Sequence, residues 1–142
     1  MPSEVEFHTG LADPLNFACR LLRKAYRSGA RVLVTGPTPL LAALDRELWT
    51  FDERDFVPHV SLPAPAAVLA RTPIWLHDGP PPDAAPEVLV HLGGEAPDLS
   101  PFIRVIEIVS TDVDDMQAGR QRWRRYQEQG LKVVHHRAGG TP

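Results

Sequence analysis

One cysteine, Cys19, stands alone in 142 residues, which excludes an internal disulfide. Set among Phe17, Leu21 and Leu22, it reads as a small buried hydrophobe. No apolar run reaches the roughly 20 residues of a membrane-crossing helix, and Met1 to Gly10 lacks the basic-then-apolar layout of a signal peptide. These absences point away from a membrane and towards the cytoplasm. Positive charge is not in excess either: 15 Lys and Arg stand against 18 Asp and Glu, for a formal net charge of −3. A domain that held duplex DNA by its phosphates would be basic.

Motifs that carry chemistry are also missing. Gly36-Pro37-Thr38-Pro39 follows an apolar run, where a phosphate loop would sit in a nucleotide-binding α/β protein. Two prolines remove backbone amides there and no lysine follows, so no nucleotide site and no cofactor is expected. Six histidines occur, yet no His-x-His or His-x-x-x-His pair is among them. His135 and His136 are adjacent and point to opposite faces of a strand, whereas zinc needs three or four convergent ligands. No metal site is expected. Ser61, Ser100 and Ser110 lie outside any Gly-x-Ser-x-Gly turn. No catalytic residue is assigned, and an enzyme is not the expectation.

Helical patterns alternate with β-rich runs, which predicts a single α/β domain over residues 1–142. Val5 to Thr9 reads as a strand, and Asp13 with Pro14 opens a helix carrying Leu15, Ala18, Cys19, Leu22 and Tyr26 on one stripe. Gly29 ends it. Arg31 to Thr35 is continuously apolar, as suits a sheet covered on both faces. Thr38 is read as the cap of a second helix, whose stripe is Leu40, Leu41, Leu44 and Leu48. Strand, loop and helix in that order make a βα unit and favour a parallel neighbour. The expected sheet is therefore mixed and mostly parallel, Rossmann-like but without a nucleotide site. Ten of the 15 prolines lie between Pro58 and Pro101, which breaks that stretch into short pieces, with strands at Ile74 to His77 and Val88 to Leu92. Arg104 to Val109 is a further strand. Thr111 or Asp112 caps a last helix that Gly130 stops, Leu131 to Val134 closes the sheet, and residues 135–142 read as a frayed tail.

Two segments stand out against this background. Leu48 to His59 sets Trp49, Phe51 and Phe56 among Asp52, Glu53, Arg54 and Asp55. Aromatics ringed by charge and followed by proline suit a docking anchor. Inward packing is the alternative, and it is the reading for Phe51. The second segment is Arg120-Gln-Arg-Trp-Arg-Arg-Tyr126. Arg120 and Arg124 lie four apart on one face beside Trp123, an arrangement able to hold an acidic peptide by guanidinium forks and an aromatic ring. Two alternatives stand beside it: an ordinary amphipathic helix that buries Trp123 and Tyr126, and direct binding of single-stranded nucleic acid.

At these residues the chain resembles the chi subunit family of bacterial DNA polymerase III. Tyr26-Arg-Ser-Gly-Ala-Arg-Val-Leu-Val34, Leu48-Trp49 with Phe56-Val57-Pro58-His59, and Arg120-x-x-Trp-Arg-x-Tyr126 before Gly130 occur in the family's order. The resemblance implies an accessory replication subunit of the clamp loader that catalyses nothing and meets DNA only indirectly. It implies docking of the psi subunit or a repair helicase through Trp49, Phe56, Val57, Pro58 and His59. It also implies that Arg120, Trp123 and Arg124 hold the acidic C-terminal tail of single-stranded DNA-binding protein. Met116 stands where the family pattern carries a lysine, one turn before Arg120. A direct single-strand binder and a nucleotide-dependent α/β enzyme are the rival functions.

Overall fold

In a computed structural model that describes residues 1–52, 54 and 56–138, seven strands form one sheet. In chain order the elements are β1 (Glu4–Leu11), α1 (Pro14–Arg27), β2 (Val32–Thr35), α2 (Thr38–Thr50), β3 (His59–Ser61) and α3 (Ala66–Arg71). They continue as β4 (Ile74–His77), β5 (Val88–His91), β6 (Arg104–Ser110), α4 (Val113–Glu128) and β7 (Lys132–Arg137). The strand order is β3-β4-β2-β5-β6-β1-β7. Among the described residues every pairing is parallel, so the sheet expected to be mixed and mostly parallel is parallel throughout.

Parallel strands need crossover helices, and the helices cover both faces. On one face Val32, Val34, Ile106 and Ile108 pack with Ala18, Cys19 and Leu22 of α1 and Leu41, Leu44 and Leu48 of α2. On the other, Val5, Phe7, Leu33, Val105 and Val109 pack with Tyr126 and Trp123 of α4. Each fully buried leucine or valine here is worth about 1.5–3 kcal/mol in transfer terms. Burial pushes the Cys19 thiol up to about 12, which makes it the inert hydrophobe its neighbours implied.

Three local readings are corrected. α2 begins at Thr38 with Pro37 as its cap residue, and the Thr38 hydroxyl donates instead to Asp78 (2.8 Å). Proline fixes the entry angle, which frees the hydroxyl for another partner. The proline-rich middle holds an edge strand, β3, and the six-residue α3, both too short to produce a periodic signal. Residues 135–137, expected to fray, instead complete β7 in parallel register with β1, from Glu4↔Lys132 to Thr9↔Arg137. Backbone pairing with a neighbouring strand outweighs the polar character of His135, His136 and Arg137. Gly139 to Pro142, the remainder of that tail, lie outside the described residues, as do Glu53 and Asp55.

A charged pair is buried at the centre of the α4 face. Glu107 is fully buried and Arg122 nearly so (0% and 2% exposed). Arg122 donates from Nε to Glu107 Oε1 (3.0 Å) and from Nη1 to the Gly94 carbonyl (3.0 Å). The Tyr126 hydroxyl donates to Glu107 Oε2 (2.6 Å), and burial pushes its phenol well above the ordinary range. Arg122 is therefore a structural tie between α4 and the sheet, not part of the basic surface.

Candidate functional site

The first candidate surface starts from the end of α2. Leu48 is buried, so the next residue on the helix turns outward, and Trp49 is 61% exposed. After the corner, Val57 is fully buried and pins the chain back, while Phe56 beside it is 48% exposed. The two rings stack at 5.0 Å with 30° between planes. The His59 ring meets Trp49 edge-on at 5.2 Å and Phe56 at 6.0 Å. His59 is tied down through Nδ1, which donates to the Val57 carbonyl (2.7 Å), while Nε2 lies 3.0 Å from Asp45 Oδ1. The result is a cluster of three aromatic rings, two of them exposed. Phe51 turns inward against the core as expected, and Arg23 lies over its ring at 4.9 Å while pairing with Asp52 (2.9 Å). The Arg54 amide and then the Arg23 guanidinium hold the Asp52 carboxyl below its ordinary value.

The second surface is a groove of about 380 Å³ between α4 and the β1–β7 edge. Phe7, Val109, Met116 and Gly119 give it apolar walls, and Arg120, Arg137, His135, Thr9 and Trp123 line it as well. Among the described residues no carboxylate lines it. Trp123 is half-buried, tilted against Phe7 at 5.0 Å and edge-on to His135 at 5.1 Å. His135 Nε2 meets Thr9 Oγ1 at 2.6 Å. Its partial burial, with Arg137 and His136 nearby, holds its pKa below the ordinary 6.5. The groove exists because α4 carries a glycine at its closest approach to the sheet. A Cβ on Gly119 would stand 3.1 Å and 3.2 Å from the two Val109 methyls.

Sequence reasoning brought Arg120 and Trp123 together, and the structure sets both in this groove. Arg124 is exposed and lines a different cavity, with Arg125, Gly94 and Glu95. Met116 contributes an apolar wall where a lysine was expected to be missing. Thr9, His135 and Arg137 join them there, none of them expected at this surface from the sequence. Their signal is the period-two spacing of Phe7 with Thr9 and of His135 with Arg137, which becomes legible only once residues 135–137 pair as a strand.

The turn at Gly36 passes close to Leu92 and borders a cavity with Pro37, Asp78, His91 and Gly93. A Cβ there would lie 2.9 Å from Leu92 Cβ, and Thr38 is occupied by Asp78. Among the described residues no helix is long and apolar enough to cross a membrane.

Comparison with known proteins decides what kind of molecule carries these surfaces. The family model described as "DNA polymerase III chi subunit, HolC" matches residues 1–134. The chain belongs to that family. The DNA polymerase III subunit chi of Pseudomonas aeruginosa is 40% identical over 131 residues, covering 89% of each chain. That of Haemophilus influenzae is 32% identical over 127 residues, covering 86% of this chain and 85% of the relative. The resemblance read from the Phe56-Val57-Pro58-His59 and Arg120–Tyr126 segments is thereby borne out. Membership makes the chain an accessory subunit of a replicative polymerase.

Proposed function

We propose that this chi-family chain is a non-catalytic linker that joins the clamp loader to protein-coated single-stranded DNA, using its two surfaces for two different partners. The groove takes the acidic C-terminal tail of single-stranded DNA-binding protein. The observation that carries this reading is the pairing of apolar walls with the cationic sides Arg120 and Arg137. A terminal phenylalanine fits between Trp123, Phe7 and Met116, and its free carboxylate meets the Arg120 guanidinium, with Arg137 across the groove. Arg124 acts from outside as a rim charge that attracts the tail's aspartates. The aromatic plate of Trp49 and Phe56, backed by Val57, Pro58 and His59, docks psi or a repair helicase. Exposed, stacked aromatics have the character of interface anchors.

Titration with a short acidic peptide ending in Pro-Phe tests the first surface. Micromolar affinity is expected, about −7 to −8 kcal/mol. Arg120→Ala should weaken it at least tenfold and Arg124→Ala only a few-fold, with the latter loss fading in high salt. Amidation of the peptide's C-terminus should mimic Arg120→Ala. Absence of binding at low salt, or a bare oligonucleotide binding more tightly than the peptide, would defeat the reading. For the plate, Phe56→Ala should abolish capture of psi or helicase and leave peptide affinity intact; equal loss of both would count against two separate surfaces.

A further inference from the structure

On the face of β1 and β7 opposite the groove, three metal-ligating side chains converge. Glu6 and His8 are two residues apart on β1 and so share a face. His136 is the register partner of His8 on β7, and the two imidazoles stack at 4.7 Å with 15° between planes. One donor atom from each of Glu6, His8 and His136 lies within 4.8 Å of the others. His8 is braced from behind by the Phe17 ring at 5.0 Å, while His136 is exposed and free to turn. From these positions we propose that Glu6, His8 and His136 form a binding site for a divalent late transition-metal ion of the Zn²⁺ class, clamping the edge strand β7 to β1.

The donor set fits that class. Two imidazoles and one carboxylate supply three ligands, and water completes the coordination. Tetrahedral ligands at zinc distances stand about 3.3 Å apart, so the donors close by roughly 1.5 Å, through rotamer changes of the exposed His136 and the carboxylate. Both imidazoles must be neutral to ligate. One group competes: Arg104 pairs with Glu6 at 3.2 Å and 3.3 Å. That pair is solvent-exposed on the arginine side, and exposed pairs are cheap to rearrange. His135 and His136 face apart, as adjacent strand residues must. The partner of His136 is instead 128 positions away, on the neighbouring strand.

The experiment is a calorimetric titration of the chelator-stripped, untagged chain with ZnCl₂, repeated with Co²⁺ to read its visible absorption. One equivalent should bind in the micromolar range, and the melting temperature should rise by roughly 5–10 °C at a hundredfold excess over Kd. His136→Ala and the isosteric Glu6→Gln should each weaken binding at least tenfold. Circular dichroism in chelator should match the parent, because both residues lie at the surface of the sheet. Arg104→Ala, which removes the competing cation, should tighten binding a few-fold. No saturable Zn²⁺ binding by the parent overturns the proposal, as does undiminished binding in both ligand variants or weaker binding in Arg104→Ala.

Discussion

Replacing Arg122 tests whether the basic helix is first of all a structural element. Its guanidinium is 2% exposed and gives Glu107, itself fully buried, hydrogen bonds and charge at 3.0 Å. Arg122→Met keeps most of the side-chain volume but leaves the Glu107 carboxylate with only the Tyr126 hydroxyl, and strands the Gly94 carbonyl. Breaking a buried pair from one side costs about 3–5 kcal/mol, since the remaining charge is uncompensated. For a chain of this size each kcal/mol lowers Tm by about 3 °C, so a fall of roughly 10–15 °C is expected. The triple variant Glu107→Leu, Arg122→Met, Tyr126→Phe removes every member of the network together. It should recover most of the loss, because a matched apolar replacement leaves no orphaned charge. Urea unfolding followed by far-UV circular dichroism measures both. The reasoning fails if Arg122→Met stays within about 1 kcal/mol of the parent, or if the triple variant is no more stable than the single one.

Three further expectations concern the core and the surfaces. His91 is buried, with Nδ1 2.7 Å from Thr35 Oγ1, and burial lowers its pKa below 6.5. The unfolded chain therefore binds the proton more readily. Stability should be full above about pH 6.5 and decline as pH falls through the depressed folded value, a slope that His91→Gln should flatten in melts from pH 7 to 5. Gly119→Leu should cost about 1–3 kcal/mol by pressing on Val109 and should block the groove, so that peptide binding is lost in calorimetry even in molecules that remain folded. Val57→Ala should cost about 2 kcal/mol of stability, whereas Phe56→Ala next to it should change the urea midpoint little, because only Val57 is fully buried.

Sequence alone was enough for the class of fold and for most of its parts. Periodic apolar residues from Leu15 to Tyr26 and from Leu40 to Leu48, the Asp13-Pro14 start, the Gly29 and Gly130 stops and the apolar Arg31–Thr35 run are local signals. Local physics reads them without reference to the rest of the chain. The two unusual segments were visible for the same reason, since aromatics beside charges are conspicuous in one dimension. Their division into inward and outward side chains was not. Leu48 and Val57 had to be seated before Trp49 and Phe56 could be known to face solvent, and Arg122 left the basic surface only because Glu107, 15 positions earlier, waits for it in the sheet. Parallel pairing of β1 with β7 likewise turned a polar tail into an edge strand. It set His135 and Arg137 in the groove and His136 against His8 on the opposite face. Composition can name the groups able to do chemistry, but a strand's partner decides which of them share a face, and that partner lay more than a hundred residues away.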